Sequence, residues 1–272
     1  MIHVNKLDIK IPGVRPRRFL HISDAHTSQY LPDDPPELKE VLERYSWIWG
    51  TEGRTANENF DDFLALAKQE KPDLLTIAGD IMDTYSPCIA RFLTEKLADF
   101  PVEYRLAYGN HDEPSALEAP GLEGPEREAA LRAGIIGPGP AFWVKDYGDL
   151  LLIGIYDADH TVTEERLALL KEQLDRGIPT LMVMHIPLPL PGFAERIIET
   201  YEDHPYYLLG HANPNERADR FYAMLTAPDS PVRGILAGHV HLVSKTEYAP
   251  GRVQITAAPG YGWDVTVNGG RA

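Results

Sequence analysis

Residues 104–114 read YRLAYGNHDEP, an apolar run that stops at Gly109 and is followed by an amide, an imidazole and a carboxylate in consecutive positions. Taken alone, Gly109-Asn110 is an ordinary turn, because Asn and Asp side chains hydrogen-bond the nearby backbone and Gly turns without steric cost. The stretch gains weight because its arrangement recurs. After RFLHIS comes Asp24-Ala25-His26, and after LLTIA comes Gly79-Asp80-Ile81-Met82-Asp83. After LMVM comes His185, and after GILA comes Gly238-His239-Val240-His241. Five apolar runs therefore end in residues able to hold a metal ion.

Those runs belong to a wider alternation. Strand-like segments at 18–22, 73–78, 103–108, 180–184, 232–237 and 252–256 are short and apolar, as buried strands are. A further pair, 141–147 and 150–156, flanks Gly148-Asp149 and reads as a hairpin. Helical patterns lie between them. Residues 57–70 place Phe60, Phe63, Leu64 and Ala67 on one face, and 86–100 open with an N-cap serine and Pro87. Residues 161–176 carry Thr161 and Glu164 at capping-box spacing, a Leu167, Leu170, Leu174 stripe, and Gly177 as a stop. Asn213-Pro214 opens another helix running toward Leu225. The stripes are core-facing surfaces. The alternation predicts an α/β fold with two sheets, and in open α/β sheets ligand sites gather at the carboxyl ends of strands. Five strand ends spread over most of the chain can then converge on one crevice.

The donor set is Asp and Asn oxygen and His nitrogen, with no thiolate. That mixture suits Mn²⁺, Fe²⁺/Fe³⁺ or Zn²⁺ in an open catalytic site better than a structural zinc site. Seven side chains exceed the needs of one ion, which implies two ions with one carboxylate shared. Singly, each piece has a bland reading: His185 as a core histidine, Asp24 and Asp80 as turn residues. Jointly those readings must coincide at five strand ends, in a chain where His26, His111, His185, His239 and His241 are half of the ten histidines.

Composition sets the bounds. With 272 residues, 43% hydrophobic and 25% charged, the chain can bury a large core, and with no internal repeat or low-complexity linker it is read as a single domain over 1–272. A net charge of −15 argues against a broad nucleic-acid footprint, which needs Lys and Arg clusters. Cys88 is the sole cysteine, so no internal disulfide forms. No apolar run reaches the length of a signal peptide or a membrane span, so we expect a cytoplasmic protein without a membrane partner.

The blocks D-x-H, G-D-x-x-D, G-N-H-D, a lone H and G-H-x-H, in that order over residues 24–241, resemble the calcineurin-like metallophosphoesterase superfamily. The resemblance implies a four-layer αββα sandwich of two mixed β-sheets, with a dinuclear centre at the strands' carboxyl ends. It assigns Asp24, His26 and His241 to one metal, Asn110, His185 and His239 to the other, and Asp80 to both. It makes His111 a general acid held by Asp83, and leaves Asp112 as a turn or supporting residue. Two cations about 3.5 to 4 Å apart lower the pKa of a bridging water, whose hydroxide attacks phosphorus in line.

Departures narrow the branch. The position after the second block is Thr84, where Ser/Thr protein phosphatases of this superfamily carry arginine, and the third block ends in Asp112 rather than Glu. Purple acid phosphatases place tyrosine where Asp83 stands. The expectation is hydrolysis of a small-molecule phosphomonoester or phosphodiester. The alternatives are a metal-dependent nuclease, which the Asp-ended blocks resemble, and a non-catalytic scaffold, which would be expected to have lost ligands. Residues 27–55 and 187–213 leave directly from His26 and His185 and are candidate lid segments. Trp47, Trp49, Tyr206 and Tyr207 in them are candidates to stack on a substrate ring, with His204 and His211 read as loop residues.

Overall fold

The computed structural model describes residues 1–112, 141–158, 160, 162–201, 208–210 and 214–270. Its eleven strands, numbered in chain order, form two sheets. The first contains β1 (His3–Lys10), β2 (Arg17–Ile22), β3 (Leu74–Ala78), β4 (Tyr104–Ala107) and β11 (Tyr261–Asn268) in the order β1-β11-β2-β3-β4. The second contains β5 (Phe142–Asp146), β6 (Leu151–Ile155), β7 (Thr180–Val183), β8 (Val232–Ala237), β9 (Ser244–Ala249) and β10 (Arg252–Thr256) in the order β5-β6-β7-β8-β10-β9. Both are mixed. Strands β2, β3 and β4 run parallel, as do β6, β7, β8 and β10, while β11 pairs antiparallel with β2. The expected hairpin is present, with Phe142 opposite Ile155 and Gly148 in the left-handed region at φ 86°.

Period-two patterning splits each sheet between two cores. Leu20, Ile22, Leu75 and Ile77 face outward onto helices, whereas Phe19, Leu74 and Ala78 face inward onto Leu152, Leu181, Val183 and Leu236 of the other sheet. Helices α2 (Ala56–Glu70) and α3 (Pro87–Ala98) bury Phe60, Phe63, Leu64, Ile89 and Leu93 on the first sheet. Helices α4 (Glu164–Leu174), α5 (Phe193–Thr200) and α6 (Glu216–Thr226) bury Leu167, Leu170, Phe193, Ile197, Phe221 and Leu225 on the second. The order of layers is α, β, β, α. No helix among the described residues is long and apolar enough to cross a membrane.

Several element boundaries and contents differ from the sequence reading. Helix α2 starts at Ala56, a residue before the expected 57, because Thr55 and Glu58 form a reciprocal capping box. Helix α4 is capped by Thr163, whose side chain accepts from the Arg166 amide, rather than by Thr161, which lies outside the described residues. Helix α6 is capped by Asn215 rather than opened at Asn213, which likewise lies outside them. Ser86 caps α3 as its position promises. The segments 27–55 and 187–213 carry helices: α1 (Lys39–Ile48) in the first and α5 in the second. Helix α1 buries only Leu42 and Ser46, so it presents no stripe for a pattern to reveal.

Candidate metal centre

The loops after β2, β3, β4, β7 and β8 meet where the carboxyl ends of both sheets adjoin. They are joined by backbone bonds. Asp24 N–H donates to Gly79 O at 3.0 Å, His26 N–H to Asp80 O at 2.8 Å, and Gly238 N–H to His185 O at 3.0 Å. Close approach is possible because residues at the crossings lack side chains. A Cβ on Gly109 would overlap Asp80 Oδ1, and one on Gly238 would overlap Ser23 Oγ.

Backbone strain marks the same places. Asp24, His26, Asp80, His239 and His241 have φ of 54°, 43°, 50°, 68° and 47°, in the left-handed region that costs a non-glycine residue of order 1–3 kcal/mol. Five of the seven expected ligands share this conformation. Such strain persists only where the surroundings over-determine it, and it clusters at functional sites.

The seven side chains come together. Donor atoms of Asp24, His26, Asp80 and His241 all lie within 4.8 Å of one another, and so do those of Asp80, His185 and His239. Asp80 belongs to both of these groups, and a third set, His26, Asp83 and His111, adjoins the first through His26. Asn110 Oδ1 is 3.1 Å from His185 Nε2, which is also 3.1 Å from His239 Nδ1 and 3.2 Å from Asp80 Oδ2. In the other group His26 Nε2 and His241 Nε2 are 2.9 Å apart, and His241 Nε2 is 3.3 Å from Asp24 Oδ1. Asp24, His26 and His185 are wholly buried and Asp80 nearly so. Buried carboxylates and imidazoles with lone pairs aimed at common points are a donor set that fits cations, and the oxygen and nitrogen chemistry is that of borderline divalent ions.

The electrostatics follow from this crowding. Burial alone would push the Asp80 carboxyl up, but the imidazoles of His185, His111 and His26 outweigh it and hold Asp80 well below the usual carboxylate range. Burial likewise opposes charge on His185, yet Asp80 and Asp24 push its imidazole up to about 10. Burial and the neighbouring His185 push His239 down to about 3.

His111 and Asp112 complete the opening stretch. Both lie in a single 3-10 turn, Asn110–Asp112. His111 Nδ1 is 2.6 Å from the backbone carbonyl of Asp83, while the nearer Asp83 carboxylate oxygen is 3.9 Å away. That carboxylate is engaged elsewhere, accepting from Trp49 Nε1 and Thr84 Oγ1 and lying 3.3 Å from His26 Nδ1. Burial disfavours the His111 cation, but Asp80, the Asp83 carbonyl and the Asp83 carboxylate together raise it above the ordinary imidazole range. Asp112 is fully buried and accepts from the amides of Gly109, Ile81 and Met82 at 2.8, 2.9 and 3.2 Å. It ties the third strand-end loop to the second. Burial and Asp80 push Asp112 up to about 7, against the pull of the Gly109 and Met82 amides.

Asp157 is the residue that sequence reading missed. Fully buried at the end of β6, it accepts from the amides of His185 and Ile186, each at 3.0 Å, and so sets the loop after β7 as Asp112 sets the loop after β3. The signal was present, since Asp157 ends the apolar run LLIGIY like the other strand-end acids. His21 takes the role of core histidine that His185 alone suggested. It bridges Thr76 Oγ1 and Ala237 O between the sheets at 3.0 and 3.2 Å, and burial lowers it to about 4.

A cavity of 430 Å³ opens over the centre, walled by Trp49, His111, Ala158, His160, Tyr201 and Val240 as well as by ligand-type residues. Trp47, in contrast, is exposed, and Tyr206, Tyr207, His204 and His211 lie outside the described residues. A second cavity of 410 Å³ beside Ile2, Val4, Leu20 and Leu66 contains none of the strand-end residues.

A four-layer sandwich with a buried oxygen and imidazole centre at its strand ends is the architecture of a metal-dependent phosphoesterase. The family model for calcineurin-like phosphoesterases matches residues 17–243, and the chain belongs to that family. It is a hydrolase with a divalent-metal site. Among solved structures it is similar to a dimetal phosphatase from Danio rerio, with TM-score 0.51, 13% identity, 90% of this chain covered and 88% of that one. It is also similar to a purple acid phosphatase from yellow lupin (Lupinus luteus) seeds, with TM-score 0.54, 14% identity, 93% of this chain covered and 46% of that one. At such identity these likenesses concern the fold. Comparison with curated proteins by sequence gave no match.

Proposed function

We propose that the protein hydrolyses a phosphomonoester or phosphodiester of a small molecule at a centre of two metal ions, drawn from Mn, Fe and Zn. The observation that carries this reading is the position of Asp80, one carboxylate common to two groups of converging donors. Asp24, His26 and His241 would hold one ion, Asn110, His185 and His239 the other, with Asp80 shared. A pair of ions there supplies a water of lowered pKa and a clamp on the phosphoryl oxygens.

The chain's own residues do the rest. His111 stands on the cavity wall beside Asp80, and its Nδ1 contact with the Asp83 carbonyl orients the ring. Held there, the imidazole would act as general acid and protonate a leaving alkoxide. Residues 1–272 serve this centre as one domain. Segments 27–55 and 187–213 act as its cover, a reading supported by Trp49 from the first and Tyr201 from the second in the cavity wall. With a net charge of −15, a small phosphate ester suits the site better than a nucleic-acid polymer.

The test is hydrolysis of p-nitrophenyl phosphate and bis-p-nitrophenyl phosphate by protein reconstituted with Mn²⁺, with Asp80→Asn as background. Metal-dependent release of p-nitrophenol from either compound, lost in Asp80→Asn, is the expected outcome. Metal-loaded protein no faster than Asp80→Asn on both compounds overturns it.

A further inference from the structure

Trp49 enters the centre from outside the strand ends. It is the C-cap of α1, and its indole lies nearly flat over the His26 imidazole, with ring centres 4.5 Å apart and planes 20° apart. The same indole meets His241 edge to face at 4.6 Å. Its Nε1–H donates to Asp83 Oδ1 at 2.5 Å, the oxygen that stands 3.3 Å from His26 Nδ1. Three contacts from one side chain thus converge on the group formed by Asp24, His26, Asp80 and His241.

His26 needs such support. Its backbone is left-handed at φ 43°, so its ring is aimed from a strained main chain, and its Nε2 must face His241 and Asp80 across 2.9 and 3.8 Å. A carboxylate behind a ligating histidine fixes the ring and raises its basicity, and losing such a partner typically costs 10- to 100-fold in metal affinity. Asp83 Oδ1 stands on that side of His26, 3.3 Å from an Nδ1 that is buried and has no hydrogen-bond partner of its own among the described residues. A carboxylate on a rotatable bond has to be held in turn, and Trp49 and Thr84 each donate to one of its oxygens.

We propose that Trp49 is a positioning residue for the metal held by Asp24, His26, Asp80 and His241, acting through Asp83: its N–H fixes the carboxylate against His26 and its face fixes the plane of the imidazole. The proposal rests on the metal reading above. A purely packing indole would make the ring contacts but have no reason to act through the carboxylate. The two accounts therefore differ in whether Trp49 and Asp83 are coupled.

A double-mutant cycle in metal affinity separates them. Full-length protein, Trp49→Phe, Asp83→Asn and the double variant are stripped of metal and titrated with Mn²⁺ by calorimetry. Melting temperatures check each fold, and Trp49→Tyr replaces Trp49→Phe if the latter does not fold. The expected result is two binding steps in the parent protein. Trp49→Phe should weaken one of them by about 10-fold, Asp83→Asn should weaken the same step by about 10- to 100-fold, and the double variant should match Asp83→Asn. Unchanged affinity in Trp49→Phe, or losses that multiply in the double variant, overturns the proposal. Absence of Mn²⁺ binding by the parent protein would instead refute the metal reading beneath it.

Discussion

The two sheets contribute unequally to the centre. The first supplies Asp24, Asp80 and Asn110, along with His26; the second supplies only imidazoles, His185, His239 and His241. The carboxylate ligands are therefore confined to one side, and each side has its own buried aspartate that contacts amides. Asp112 takes the amides of Gly109, Ile81 and Met82 and so joins two loops of the first sheet, whereas the amides of His185 and Ile186 that Asp157 takes lie in a single loop of the second. The lesson is that the half supplying the carboxylate ligands has its loops tied to each other, while in the other half the aspartate holds one loop. Without a cation, the repulsion between Asp24 and Asp80 is countered by the His185 imidazole of the second sheet, 3.2 Å from Asp80.

The largest effect expected of that asymmetry is catalytic. His111 belongs to the first half but is not among the seven converging donors, so His111→Ala should lower turnover by about 10²- to 10⁴-fold on esters with poor leaving groups, with a smaller loss on p-nitrophenyl esters. Metal content by elemental analysis should stay at the parent level. Loss of metal in that variant would place His111 among the ligands and break the division of labour.

Next in size is stability. Asp112→Ala leaves the buried amides of Gly109, Ile81 and Met82 unpaired and Asp157→Ala leaves those of His185 and Ile186, at about 1–3 kcal/mol for each group, less whatever entering water restores. Thermal unfolding of the metal-free variants should show both melting below the parent protein. A melting temperature equal to the parent's in either variant would show that its loops are held without that aspartate.

The smallest effect is a slope. Asp112 is raised to about 7 in the folded chain, above its value when unfolded, so the native state keeps a proton that the unfolded chain has released in between. Its contribution is present in acid and is lost as pH rises through about 7. The stability of the metal-free parent relative to Asp112→Asn should accordingly shrink between pH 4.5 and 7.5. A difference that is flat or grows would show that the three amides, not burial and Asp80, govern this carboxyl.

Most of what places the centre was legible in the sequence, because it is local. Each block is an apolar strand followed by a glycine, an acid or, after LMVM, a histidine, and the apolar run, its abrupt end and the ligand types all fall within a few residues. Strand β3 reads clearly because LLTIA is buried throughout. What escaped notice depends on distant partners. Strands β1 and β11 carry a readable period-two alternation in LDIK and WDVTV, and what depends on the distant partner is their parallel pairing along eight residues across the whole chain. Helix α5 has two buried side chains, Phe193 and Ile197, too few to make a stripe. Trp49 reaches Asp83 across 34 positions in sequence, and Asp157 reaches His185 across 28; no spacing rule foretells either.

The left-handed backbone at Asp24, His26, Asp80, His239 and His241 also bears on transplantation. A protein engineer who copied the seven side chains onto another sandwich with relaxed loops would reproduce the chemistry of the donors but not their aim. The transferable unit is the loop with its crossing glycine and its amide-gathering aspartate, moved whole.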